Sequence, residues 1–123
     1  MKIAIPKERR PGETRVAASP DLVKKLVGFG FEVTVEKGAG TTASFTDAAF
    51  KDAGATIAKD EATALKTADI VFKVQRPIIE GDASKNELAM MKKGAMLIAH
   101  LGALYNRDDV KAYAGAGITA FAM

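Results

Sequence analysis

The sequence predicts an α/β fold: three layers, with a mostly parallel sheet and helices on both faces. Three observations lead there. Short apolar runs rich in β-formers alternate with stretches of helical period along the whole chain. Six such runs are joined by helices or by loops of helical length, and connections that long return the chain to run parallel to itself. Helix starts are also marked by capping chemistry, as at Ser19-Pro20, Thr46-Asp47 and Asp60.

Taken in order, Lys2-Ile3-Ala4-Ile5 reads as the first strand, and a polar loop over 7–18 follows, with Pro11-Gly12 as its turn. Ser19 caps a helix whose first position suits Pro20 and whose dipole favours Asp21. Leu22, Val23, Leu26 and Val27 form its apolar face, and Gly28 and Gly30 loosen its end. Phe31-Glu32-Val33-Thr34-Val35 alternates as a second strand. A short helix starts at Thr46-Asp47 and stops near Gly54. Thr56-Ile57-Ala58 is a brief third strand expected near an edge, and Asp60 caps a helix through Lys66.

Asp69-Ile70-Val71-Phe72 is the fourth strand, with Lys73 at its end. After a loop over 75–83, Ser84 and Glu87 have capping-box spacing for a helix through Lys93. Met96-Leu97-Ile98-Ala99 is the fifth strand, ended by His100. Asn106 with Asp108 and Asp109 opens a helix ending near Gly115, and Ile118-Thr119-Ala120-Phe121-Ala122 is the sixth strand. The chain stops at Met123 directly after this apolar run, so we expect a fragment of something longer.

The bulk numbers exclude several classes. A chain of 123 residues, 48% apolar and 27% charged, is one domain of an ordinary globular protein. No apolar run approaches the roughly 20 residues that cross a bilayer. The apolar stretch at the N-terminus is too short for a signal peptide. With no cysteine and one histidine, the sequence offers no disulfide, no thiolate nucleophile and too few ligands for a metal centre. It fits a reducing cytoplasm. Net charge is +3, unevenly spread: residues 1–30 carry seven basic and three acidic side chains, and residues 31–72 four basic and seven acidic. Aromatic stacking partners are scarce and no DNA-binding motif appears, so the basic start reads as a solvated face or a small-anion site rather than a nucleic-acid surface.

Gly38-Ala39-Gly40-Thr41-Thr42-Ala43 imitates a dinucleotide fingerprint, with Asp60 further on. The imitation fails in detail, because the helix starts at Thr46 and Asp60 reads as a cap; a turn is the better reading. Arg15, Lys73 and His100 carry more. Each follows a strand, and in a parallel sheet the groups beyond the carboxyl ends converge on one rim. Arg15 belongs either to a solvated basic loop with Lys7, Arg9 and Arg10 or to a bidentate carboxylate site, and Val16-Ala17-Ala18 after it turns back toward the core. Lys73, between Phe72 and Val74, either snorkels to water or needs an acid partner or a ligand anion. His100 is either a satisfied core histidine or a general acid/base.

The run Ile5-Pro6-Lys7-Glu8-Arg9-Arg10-Pro11-Gly12-Glu13, with Arg15-Val16-Ala17 and Ser19-Pro20, resembles the N-terminal signature of the alanine dehydrogenase/pyridine nucleotide transhydrogenase family. Glu36 to Gly40, Lys73-Val74-Gln75-Arg76-Pro77 and His100-Leu101-Gly102-Ala103-Leu104 continue the resemblance in order. Arg9-Arg10-Pro11-Gly12, Gln75-Arg76-Pro77 and Gly102-Ala103-Leu104 are more similar to the α subunit of the proton-translocating NAD(P) transhydrogenases than to alanine dehydrogenases, which usually have an acidic residue where Arg76 stands.

The resemblance implies the first α/β subdomain of an NAD(H)-binding module, spanning 1–123, with the Rossmann subdomain that holds NAD(H) lying downstream. It implies hydride transfer between NAD(H) and NADP(H) coupled to proton translocation, with NADP(H) on a partner domain. The implied assembly is a homodimer with NADP(H)-binding and membrane-spanning components, cytoplasmic and peripheral to the inner membrane. In the alanine dehydrogenase branch, residues matching Arg15 and Lys73 bind the 2-oxo acid and the one matching His100 assists proton transfer. No cofactor-binding residue and no metal ligand is expected within the chain itself. The alternatives are the N-terminal part of an NAD-dependent alanine dehydrogenase, and a non-catalytic small-anion binding module.

Overall fold

The computed structural model describes residues 1–79 and 86–123. Six strands form one sheet in the order β3-β2-β1-β4-β5-β6, every pairing parallel. They are β1 (Lys2–Ile5), β2 (Glu32–Glu36), β3 (Thr56–Ala58), β4 (Ile70–Gln75), β5 (Met96–His100) and β6 (Thr119–Ala122). Among the described residues, five α-helices connect them: α1 (Pro20–Gly28), α2 (Asp47–Asp52), α3 (Glu61–Leu65), α4 (Glu87–Met90) and α5 (Arg107–Gly115). The short strand β3 lies at an edge as expected.

The sheet is covered on both faces. On one, α1 and α2 pack Val23 and Phe50 against Ile3, Ile5, Val33 and Val35. On the other, Leu65, Leu88 and Tyr113 from α3, α4 and α5 pack against Ala4, Val71, Leu97 and Ala99. The period-2 alternation of β1 accounts for the split, since Ile3 and Ile5 point one way and Ala4 the other. The reversal of winding falls between β1 and β4, neighbours in the sheet but far apart in the chain. In an open parallel sheet the crevice at that point, beyond the carboxyl ends, is where ligands bind.

Local chemistry explains most boundaries. Ser19, Thr46 and Asp60 each accept a backbone N–H three residues on, from Leu22, Ala49 and Thr63, and so start α1, α2 and α3. Gly40 is required by close approach: a Cβ there would stand 2.6 Å from Phe50 Cε2 and 2.8 Å from the Phe45 carbonyl. The turn at 38–43 ends in a single 3-10 turn, Thr41–Ala43, that starts after Gly40, and the next α-helix, α2, begins only at Asp47.

Two expectations are corrected. β4 does not end at Phe72; it runs through Lys73 to Gln75, with a register shift between Phe72 and Gln75 that sets Gln75 opposite His100. The helix expected through Lys93 is the single turn Glu87–Met90, capped by Asn86, whose side chain accepts the Ala89 N–H at 3.1 Å. Ser84, expected as its cap, lies outside the described residues, and Glu87 is drawn into tertiary contacts instead. Asn106 opens α5 as expected, with its side chain donating to the Leu101 and Gly102 carbonyls and making no cap bond. Among the described residues no helix is long and apolar enough to cross a membrane.

Candidate functional site

The crevice between the carboxyl ends of β1 and β4 is filled by the chain itself. The loop leaving β1 folds over it, and Glu8 accepts the N–H groups of Val74 at 3.2 Å and Gln75 at 2.9 Å. Arg10, expected in a solvated basic loop, donates from Nε to the Arg76 carbonyl and from Nη2 to the Pro77 carbonyl, both at 2.8 Å. Arg9 is committed as well: its guanidinium clamps the Glu36 carboxylate and reaches Glu61 Oε2 at 3.4 Å. The basic run therefore closes the crevice by pairing with carboxylates and carbonyls. A helix N-terminus with a glycine-rich turn, which a pyrophosphate would need after β1, is not there, because α1 starts fifteen residues after Ile5.

Lys73 lies under this loop, its side chain 1% exposed. Its ammonium donates to Glu87 Oε2 at 2.9 Å and stands 3.4 Å from Glu8 Oε2. Of the alternatives the sequence left open, the acid partner is the one found, and it is present twice; the lysine does not snorkel to water. Glu87 also accepts the Ile78 N–H at 2.8 Å. Next to it stands Glu61, whose carboxyl is pushed up to about 8 by burial and by its contact with Glu87. Burial pushes Glu87 up too, but the hydrogen bond with Glu61 and the Lys73 charge outweigh that and hold it below its ordinary range.

Arg15 is placed differently. Its side chain is 63% exposed and gripped by Glu13, with Nε to Oε2 at 2.9 Å and Nη2 to Oε1 at 2.8 Å. This bidentate pair, with a further bond from Gln75 Nε2 at 2.8 Å, holds the Glu13 carboxyl well below the usual carboxylate range. The next residues do return to the core, where Ala18 is buried. His100 ends β5 as expected, is exposed, and stands opposite Gln75 in the register. The Glu13–Gln75 bond thus links the Arg15 loop to the rim where His100 lies, while Lys73 turns into the acidic cluster beneath.

Glu8, Glu13, Glu61 and Glu87 are the residues that sequence reasoning did not single out. The signal for two of them was the demand of a buried lysine for carboxylates; nothing local distinguished Glu61 from a surface glutamate. Among the described residues no group of histidine, cysteine or carboxylates is arranged to hold a metal ion. Beside the rim runs an apolar groove of about 230 Å³ lined by Ala17, Leu22, Phe72, Lys73, Ile98 and Met123. A larger hollow of about 530 Å³, among Lys2, Glu32 and Thr56, lies at the amino ends of the strands, away from this chemistry.

Comparison with known proteins agrees with this layout. The chain is similar to an NAD(P) transhydrogenase subunit alpha polypeptide of Rhodospirillum rubrum, 61% identical over 123 residues, covering 100% of this chain and 32% of that protein. It is similar to the crystal structure of transhydrogenase from Sinorhizobium meliloti, with TM-score 0.90 and 40% identity over 99% of this chain and 34% of that one. It is also 36% identical to alanine dehydrogenase of Halomonas elongata, covering 99% of this chain and 31% of that protein. The chain thus spans about a third of the length of the relatives it matches. The family described as alanine dehydrogenase/PNT, N-terminal domain, matches residues 4–123, and the chain belongs to it.

Proposed function

We propose that the chain is the first α/β subdomain of the NAD(H)-binding component of a proton-translocating NAD(P) transhydrogenase. In this reading hydride passes between NAD(H) and NADP(H). NAD(H) is held mainly by a Rossmann subdomain downstream of the residue matching Met123, and NADP(H) by a partner domain. The component works as a homodimer on the cytoplasmic side of the inner membrane, attached through a membrane-spanning partner. The observation that carries the reading is the filled crevice. The place where a doubly wound sheet would take a dinucleotide holds Glu8 and the Arg10 side chain, which supports nucleotide binding by another part of the polypeptide. The similarity to the Rhodospirillum rubrum subunit supports the choice of branch.

The second reading, the start of an NAD-dependent alanine dehydrogenase, is favoured by the similarity to the Halomonas elongata enzyme. In that reading Arg15 and Lys73 bind the carboxylate and carbonyl of a 2-oxo acid and His100 moves the proton. Arg15 would then exchange Glu13 for the substrate, and Lys73 would act from between Glu8 and Glu87. The two readings diverge in one assay. The polypeptide extended to the length of its relatives, in membranes with its partner components, is given NADPH with an NAD analogue, or NADH with pyruvate and ammonia. Reduction of the NAD analogue is expected. Oxidation of NADH dependent on pyruvate and ammonia, without transfer between nucleotides, would overturn the transhydrogenase reading.

A further inference from the structure

Glu61 on α3 and Glu87 on α4 meet in a dry place, 5% and 1% exposed. Both oxygens of Glu87 are taken, Oε2 by the Lys73 ammonium at 2.9 Å and Oε1 by the Ile78 N–H at 2.8 Å. Glu61 is poorer in donors: Oε2 has Arg9 at 3.4 Å, and Oε1 has no ordinary donor among the described residues. What Glu61 does meet, where α3 packs on α4, is the Glu87 carboxyl, with which it is hydrogen-bonded. Two buried carboxylates in contact do not both stay ionised, so one holds a proton. That one is Glu61, because the ammonium and backbone N–H on Glu87 favour the anion there.

We propose that Glu61 and Glu87 form an acid–carboxylate pair sharing one proton, and that this bond is a pH-sensitive latch fastening α3 to α4 across the carboxyl end of β4. Among the described residues, the charged groups facing Glu61 are Arg9 from the loop after β1, Glu36 from the end of β2, and Glu87 from α4. The third packed strand, β3, is Thr56-Ile57-Ala58 and carries no charge. Arg9, clamped on Glu36, reaches only Oε2 of Glu61, at 3.4 Å, and leaves Oε1 without a donor among the described residues. Once Glu61 ionises, the bond becomes a like-charge contact. The element that gives is α4, a single turn. Because Glu87 also holds Lys73 and the Ile78 N–H, the loosening reaches the exit of β4.

The sign follows from linkage. An unfolded glutamate titrates at about 4.3, and folded Glu61 at about 8. Its contribution to stability is complete below the unfolded value and is lost as pH rises through the folded one. Urea denaturation of the 123-residue chain from pH 5 to 9 reads this directly. The folding constant should fall by up to about tenfold per pH unit to near pH 8, then level off. Glu61→Gln keeps the shape and can donate to Glu87 but does not titrate, so it should remove that slope. A Glu61→Gln protein with the wild-type slope would overturn the latch. Should that variant not fold, carbon-13 NMR of the wild-type glutamate carboxyls decides. One titrating near pH 8 supports the shared proton, and all titrating below pH 6 overturn it.

Discussion

Replacing Lys73 by methionine keeps the length and most of the volume of the side chain and deletes only the ammonium. The structure sets the size of the effect. Lys73 is the one buried cation among the described residues, and removing it leaves the buried carboxylates of Glu8 and Glu87 without their shared counter-charge. Breaking a buried pair from one side costs about 3–5 kcal/mol, because a charge is stranded. Here the lower end applies. Glu8 keeps its bonds from Val74 and Gln75, and Glu87 keeps that from Ile78. Lys73→Met should therefore lose about 3 kcal/mol in urea denaturation at neutral pH with an unchanged m-value. The loss should shrink as pH falls and the stranded carboxylates take up protons. Lys73→Met/Glu87→Gln should recover part of it, with a coupling of about 1 kcal/mol or more. A Lys73→Met protein within about 0.5 kcal/mol of wild type would refute the buried cluster, since only a surface lysine behaves so.

Other perturbations test separate regions of the structure. Ser19→Ala removes the acceptor for the Leu22 N–H and should cost about 1 kcal/mol by denaturation, with α1 fraying first in hydrogen exchange. Gly40→Ala drives a methyl group into the Phe50 ring and the Phe45 carbonyl and should cost about 1–3 kcal/mol; a neutral result would mean the turn at 38–43 is misplaced. Glu13 and Asp69 titrate below the ordinary carboxylate range, because Arg15 and Lys92 respectively hydrogen-bond their anions. Their contribution is present above the unfolded value of about 4 and is lost as pH falls below it, so the melting temperature should drop in that acid window. Glu13→Gln should flatten the drop.

What was legible in the sequence was mostly local. Ser19, Thr46 and Asp60 announce their helices because a cap acts within three residues. The parallel sheet followed from connection lengths, and the brief Thr56-Ile57-Ala58 run marked an edge. Reading β4 as finished at Phe72 failed because a charged residue looks like a strand end, whereas carboxylates from two distant segments neutralise Lys73 in the interior. Glu87 looked like half of a capping box, and its side chain was instead claimed by Lys73 and Ile78. Arg9 and Arg10 looked solvated because their partners, Glu36 and the Arg76 and Pro77 carbonyls, are separated from them by stretches of chain that local reasoning does not span. That a buried Lys73 needs an acid or a ligand anion was legible in the sequence; that it is buried, and which acid answers it, are tertiary properties.

Titrating NADH into the purified 123-residue chain in a calorimeter, beside the polypeptide extended to the length of its relatives, bears most directly on the filled crevice. We expect saturable binding by the extended polypeptide and no saturable heat from the chain alone. Equal affinity in the two would mean that a dinucleotide displaces Glu8 and the arginines from the carboxyl ends of β1 and β4, and would contradict a crevice closed by the chain's own side chains.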